Sequence, residues 1–253
     1  DGTVRESVAG VDNGVAANGY TKISSTSGGA SLPLINSSFF GRSVDVFDDL
    51  DGDGVQDLVV GAYRDKPSTI YQNGGVYIIF LTQNGTPDLS VSGITDGAES
   101  LGFSNINETS GDLEADLPNV ADFGIGVAVV DDLNGDDIQD LVVGAPNHDD
   151  GGSNKGALYV LFMDQDGTVN TEVEGIEAGV ATNGYTRISQ LSGGFNGTFA
   201  NAALIGTDIS GIGDINGDGY EDLIAGAIGD DDGGTDRGGV YIFYLSEDGQ
   251  LNQ

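Results

Sequence analysis

Apolar residues in this chain come in short, dense runs rather than in helical stripes. Val, Ile, Tyr and Phe dominate runs around Gly41 to Phe47, Leu58 to Gly61 and Val76 to Leu81, and turn-forming Gly, Asp and Asn clusters separate them. Each run predicts a strand, and a looser strand is expected near Tyr20 to Ser24. Stretches such as Leu58-Val-Val and Leu141-Val-Val are continuous in apolar residues, so these strands are expected to be covered on both faces by neighbouring sheets. No segment predicts a helix. Leu113 to Val120 is interrupted by Pro118 and has no apolar stripe.

The same pattern recurs with a period of about 83 residues. Phe40-Gly41, the run Asp49 to Ala62 and the run Gly75 to Leu81 return as Phe123-Gly124, Asp132 to Ala145 and Gly156 to Phe162. They return again as Ile205-Gly206, Asp214 to Ala227 and Gly239 to Leu245. Between these blocks Gly19-Tyr-Thr-Lys-Ile-Ser24 matches Gly184-Tyr-Thr-Arg-Ile-Ser189, with a weaker copy at Gly102 to Ile106. The tags Asp1-Gly-Thr-Val4, Asn84-Gly-Thr86 and Asp166-Gly-Thr-Val169 open three units, expected at 1–83, 84–165 and 166–253; Asp248-Gly249 resembles a fourth opening. The chain thus starts on the outer-strand segment of a unit and ends on a third strand. Residues 1 to about 30 are expected either to complete the sheet that ends at Leu245 or to pair with another copy of the chain.

Inside each unit an acidic loop places oxygen-bearing side chains at positions 1, 3, 5 and 9. The first loop supplies Asp49, Asp51, Asp53 and Asp57, with Gly54 at the bend and the Val55 carbonyl turned inward. The second supplies Asp132, Asn134, Asp136 and Asp140 with the Ile138 carbonyl, and the third supplies Asp214, Asn216, Asp218 and Asp222 with the Tyr220 carbonyl. Calcium takes roughly 6 to 8 oxygen ligands, and alternate residues of a tight loop can aim several at one point. Without a cation, converging carboxylates repel one another. One Ca2+ per unit is the reading. In the second loop Asp137 stands where the others have glycine, and that site is expected to be the weakest or most strained. A helical calcium loop is excluded because no Glu stands at position 12 and strand-like sequence follows. Zinc is disfavoured by a single His and no Cys.

Composition narrows the function classes. Forty-one acidic residues against eight basic give a formal charge of −33, which repels nucleic acid and anionic membranes. No apolar run reaches the roughly 20 residues that cross a bilayer. The 253 residues are 38% hydrophobic, enough for a core, and the absence of Cys rules out a disulfide framework and thiol chemistry.

Taken together, Phe-Gly, the acidic loop, Gly144-Ala145-Pro146 and the Gly-x-x-Tyr run resemble the FG-GAP repeats of integrin α subunits and their bacterial relatives, over nearly the whole chain. That resemblance implies β-propeller blades of four antiparallel strands, calcium in the acidic loops, and a surface that binds a protein or glycan partner outside the cell. The expected function is a calcium-stabilised, non-catalytic extracellular adhesion or assembly module. The alternatives are a filament or sheath subunit that exchanges strands through residues 1–30, and an accessory propeller of a secreted hydrolase or lyase. Two departures stand out. The unit is longer than the roughly 40 to 50 residues of ordinary blades, and three blades are fewer than the roughly four to eight that close a propeller.

Several weaker features carry less. Asp65, His148-Asp149-Asp150 and Asp230-Asp231-Asp232 follow Gly-Ala in each unit and are read as solvated loops, with an accessory calcium site as the alternative. His148 has no repeated Ser-His-Asp arrangement around it. Tyr77, Tyr159 and Tyr241 recur at one strand position and are read as packing residues. Sequons at Asn36, Asn107 and Asn196 matter only in a glycosylating source.

Overall fold

The computed structural model describes residues 9–12, 15–65, 73–95, 98–115, 117–177 and 179–252. The opening tag, Asp1 to Val4, lies outside the described residues. The strands are β1 (Ala9–Asp12), β2 (Val15–Asn18), β3 (Val44–Phe47), β4 (Asp57–Gly61), β5 (Val76–Ile79), β6 (Ser92–Thr95), β7 (Ala98–Leu101), β8 (Phe103–Ile106) and β9 (Val127–Val130). They continue with β10 (Asp140–Ala145), β11 (Ala157–Leu161), β12 (Glu174–Glu177), β13 (Val180–Asn183), β14 (Tyr185–Ile188), β15 (Ile205–Gly211), β16 (Leu223–Ala227) and β17 (Gly239–Phe243). Among the described residues there is no helix, and hence none long and apolar enough to cross a membrane.

Two antiparallel sheets have four strands each, in the orders β3-β4-β5-β8 and β9-β10-β11-β14. A third, β15-β16-β17, has three. These are propeller-type blades, and the all-β architecture follows the sequence pattern. The outer strand of the first two blades arrives late. Between β5 and β8 the chain makes a tight Asn84-Gly85 turn and the hairpin β6–β7, and β12–β13 does the same before β14. Part of the extra unit length is therefore this hairpin, which alternating apolar residues alone do not announce.

Blades stack face to face, as the continuous apolar runs require. Along β10, Leu141 and Val143 belong to the core shared with the first blade, while Val142 points into the core shared with the third. All six residues of β10 and all five of β11 are buried. Alternate side chains thus serve two cores, and period-two amphipathicity disappears.

The repeated dipeptides explain how one blade locks onto the next. Within the second blade Gly124 N–H donates to the Gly144 carbonyl at 3.0 Å; across blades Phe123 N–H donates to Asn73 O at 2.9 Å and Ile205 N–H donates to Lys155 O at 3.0 Å. A Cβ on Gly61 would stand 2.0 Å from the Gly124 carbonyl oxygen, and one on Gly144 would stand 2.0 Å from Gly206 O. The glycine of each Gly-Ala pair is bare because the Phe-Gly backbone of the next blade rests on it.

Candidate functional site

Each acidic loop runs from the end of a blade's first strand to the start of its second. In all three, position 9 is the fully buried residue: Asp57, Asp140 and Asp222 are 0% exposed. Each of these carboxylates accepts two backbone hydrogen bonds. Asp57 receives Leu50 N–H at 3.0 Å and Leu81 N–H at 2.9 Å, and Asp140 receives Leu133 N–H at 3.0 Å and Met163 N–H at 3.1 Å. Asp222 receives Ile215 N–H at 3.0 Å and Leu245 N–H at 3.2 Å. Position 9 therefore staples the loop to the end of the third strand, a role that spacing alone did not reveal. The signal was present in the regular distance from this Asp to the Leu or Met closing the third run.

Position 1 organises the turn. Asp49 accepts Gly54 N–H at 2.9 Å. Asp132 accepts Gly135, Asp136 and Asp137 N–H groups at 2.6, 3.1 and 2.7 Å, and Asp214 accepts the matching Gly217, Asp218 and Gly219 groups at 2.6, 3.1 and 2.9 Å. At position 6 the backbone is left-handed in every loop: φ is 88° at Gly54, 98° at Gly219 and 69° at Asp137. Asp137 adopts the glycine conformation at the small cost that Asp tolerates better than most residues.

In the first loop, one oxygen each from Asp49, Asp51 and Asp57 come within 4.8 Å of one another. Asp53 is exposed and its Oδ1 accepts Val55 N–H at 2.7 Å. Among the described residues no other group of acidic or His side chains gathers this closely; in the second and third loops position 3 is an amide, Asn134 or Asn216. The second loop bears a different sign of an absent partner. Asp136 Oδ2 and Asn134 Nδ2 are buried without any hydrogen-bond partner. In the third, Asn216 and Asn252 donate to Asp218 at 2.9 and 2.6 Å, and hydrogen bonds led by the Tyr220 N–H hold its carboxyl below the usual range.

Electrostatics point the same way. Burial pushes the Asp57 carboxyl up to about 6 and the Asp140 carboxyl up to about 8, with neighbouring loop carboxylates adding to both. Burial, then Asp53 and Asp49, also raise Asp51. The effect of burial on these carboxylates is offset in part by backbone N–H donors, and neighbouring carboxylates add to it. All-oxygen donors, three converging carboxylates and orphaned polar atoms suit a hard divalent cation such as Ca2+.

The second acidic segment differs from its reading as solvated loop. Asp65 and Asp230 are buried, and they accept the hydroxyls of Tyr77 and Tyr241 at 2.6 and 2.7 Å. In the middle blade His148 occupies the corresponding position, and the Tyr159 hydroxyl has no hydrogen-bond partner. The Asp150 N–H donates to His148 Nδ1 at 3.1 Å, and Arg187 Nη1 lies 3.5 Å from Nε2. Arg187 is itself paired with Glu177 and, at 3.1 Å, with Asp150. Burial and then the Arg187 guanidinium pull the His148 imidazole down to about 4. Nothing here forms a nucleophile–base pair.

Comparison with known proteins follows the repeat. A family model described as FG-GAP repeat matches residues 40–79 and 123–161. The third unit, with Ile205-Gly206 in place of Phe-Gly, is not matched, although its strands pair in the same order. Integrin alpha-4 of Xenopus laevis is 30% identical over 192 residues, covering 76% of this chain and 14% of the relative. Integrin alpha-6 of Homo sapiens is 38% identical over 127 residues, 50% of this chain and 9% of the relative. Phosphatidylinositol-glycan-specific phospholipase D of Rattus norvegicus is 30% identical over 201 residues, 78% of this chain and 19% of the relative. The chain spans less than a fifth of the length of each of these three relatives.

Proposed function

We propose that this chain, an FG-GAP repeat protein of the integrin-α type, is a calcium-stabilised extracellular module that binds a protein or glycan partner and performs no catalysis of its own. The observation that carries the reading is the convergence of Asp49, Asp51 and Asp57 at the head of β4; with Asp53 they form a residue pattern that the sequence repeats at Asp132, Asn134, Asp136 and Asp140 and at Asp214, Asn216, Asp218 and Asp222. The Val55, Ile138 and Tyr220 carbonyls complete the three ligand sets. A bound calcium ion neutralises the loop carboxylates and adds stability in proportion to its occupancy. This chain's own residues do the rest. Position 1 curls the loop, position 9 ties it to the third strand, and the loops are held as rigid edges on which a partner can dock. We read the repeats as units 1–83, 84–165 and 166–253.

Calorimetric titration with calcium tests the proposal directly. It is expected to show saturable binding, with a melting temperature that rises with calcium and falls back on chelation. Unchanged melting after chelation would remove the calcium reading. A partner is sought by screening the calcium-loaded chain against extracellular-matrix proteins and glycans, and binding is expected to disappear on chelation. The likeness to a phospholipase D supports a second reading, an accessory propeller beside a hydrolase. A hydrolase panel on the chain is expected to show no turnover, and turnover abolished by His148→Ala would overturn the non-catalytic assignment.

A further inference from the structure

Position 8 of each acidic loop has no part in the ligand set. It is Gln56 in the first loop, Gln139 in the second and Glu221 in the third, each standing beside the position 9 carboxylate that staples its loop. In the second and third loops this side chain reaches out of its own blade. Gln139 Oε1 accepts the Asp48 N–H at 2.7 Å, and Glu221 Oε2 accepts the Asp131 N–H at 2.7 Å. Asp48 and Asp131 are the residues immediately before Asp49 and Asp132, position 1 of the preceding loop. The same contact therefore occurs twice, one blade apart.

Glu221 holds two loops at once. Its other oxygen, Oε1, accepts the Gly213 N–H at 3.1 Å, and Gly213 immediately precedes Asp214, position 1 of its own loop. The carboxylate lies across the bare Gly211 at the end of β15, where a Cβ would stand 2.3 Å from Oε1. Gln56 instead stays within its own loop, its Nε2 donating to Asp48 Oδ1 at 3.4 Å. The entry N–H matters because position 1 hangs from the next residue. Asp132 gathers the Gly135, Asp136 and Asp137 N–H groups of its loop. Fixing the backbone just before it leaves less disorder to remove when the loop closes on a ligand.

We propose that Gln139 and Glu221 are positioning residues that couple the calcium loops in series, each preordering the loop of the preceding blade when its own loop is filled. The inference rests on the calcium reading above. Asp222, once it holds a cation, fixes its covalent neighbour Glu221 and so the Asp131 N–H at the entrance of the second loop. Asp140, Gln139 and Asp48 repeat the path from the second loop to the first. Order already imposed by one filled loop is not imposed again by the next, so filling is positively coupled, and by linkage the coupling is equal in both directions. Direct repulsion between two dications acts in the opposite sense. The link through Glu221 is charge-assisted and is expected to be the stronger of the two.

Calcium titration of the isotope-labelled full chain by NMR reads each loop separately. The reporters are the position 6 amides of Gly54, Asp137 and Gly219, which donate to position 1 at 2.9, 2.7 and 2.9 Å. Asp218→Ala disables the third loop at an exposed residue, and the calcium midpoint at Asp137 is expected to rise about two- to tenfold, the worth of one such hydrogen bond. In a Glu221→Leu chain the same Asp218→Ala change is expected to move that midpoint no further. In a Glu221→Gln chain, which keeps an oxygen acceptor, the rise is expected to persist. The second link is read independently: Asp136→Ala is expected to raise the Gly54 midpoint, and Gln139→Leu to abolish that rise. Midpoints indifferent to the disabling of the neighbouring loop, or shifted as much without the position 8 acceptor as with it, would overturn the proposal and leave the calcium reading standing. Amides that ignore calcium altogether would overturn both.

Discussion

At the scale of single residues, the acidic loops divide the work of one motif between two kinds of carboxylate. Asp140 is inside the protein and bonded to two backbone N–H groups, whereas Asp136 has one oxygen without a partner. Asp140→Ala leaves two buried donors unsatisfied and is expected to cost about 2 to 5 kcal/mol, with calcium or without it. Asp136→Ala is expected to cost stability only in calcium. Urea unfolding of both variants, with and without a chelator, separates the roles. His148 offers a second test. It stays neutral in the fold because burial and Arg187 depress its proton affinity from 6.5 to about 4, with Asp150, Glu177 and Asp149 opposing the shift. The unfolded chain therefore binds this proton first. The contribution is complete above pH 6.5 and is lost as pH falls through about 4, a change of at most about 3 kcal/mol. Raised carboxylates such as Asp57 and Asp140 act in the opposite sense. The informative quantity is thus the difference between the parent and His148→Gln, whose urea midpoint is expected to fall less steeply from pH 7 to 4.5.

At the scale of elements, the strands are held less by their own pairing than by the blade on either side. The bare glycine that ends β4 or lies within β10 is among the tightest points of that contact. Gly144→Ala forces a methyl to within 2.0 Å of the Gly206 carbonyl oxygen, and backbone cannot yield as a side chain does. The expected loss is about 1 to 3 kcal/mol or more, in line with overpacking elsewhere, read as a lowered urea midpoint. The tyrosine row gives a graded companion. Tyr241→Phe removes a hydrogen bond to Asp230 and is expected to cost about 1 kcal/mol, whereas Tyr159→Phe removes a hydroxyl that has no carboxylate to donate to and only the Arg187 guanidinium beside it, and is expected to cost less. The motif letters of the repeat were legible in the sequence as a pattern. Their reasons were not: Gly61 looks like any turn glycine until Gly124 of the next blade is placed on it.

At the scale of the whole molecule, a formal charge of −33 opposes folding and assembly alike. One dication in each acidic loop would offset about six of those charges and leave most of the repulsion to be screened by salt. Added sodium chloride is therefore expected to raise the melting temperature of the chelated chain, and to raise that of the calcium-loaded chain by a smaller increment. Scanning calorimetry across a salt series with and without calcium measures the difference.

The sequence by itself determined the all-β architecture, the recurring strand runs and the positions of the acidic loops, because each is written in local signals: β-branched runs, turn residues and the alternation of oxygen side chains. Even the left-handed bend at Asp137 follows from its place where the other loops have glycine. Tertiary structure decided the rest. The hairpins β6–β7 and β12–β13 and the late-arriving outer strands depend on contacts far along the chain. So do the burial of Asp65 beneath Tyr77 and the stapling of Asp57 to Leu81. Whether an apolar residue is core or exposed is likewise a matter of neighbours. Val160 and Ile242 hold the same strand position in two copies of the repeat, yet one is enclosed and the other is open, because a blade covers the first and none among the described residues covers the second.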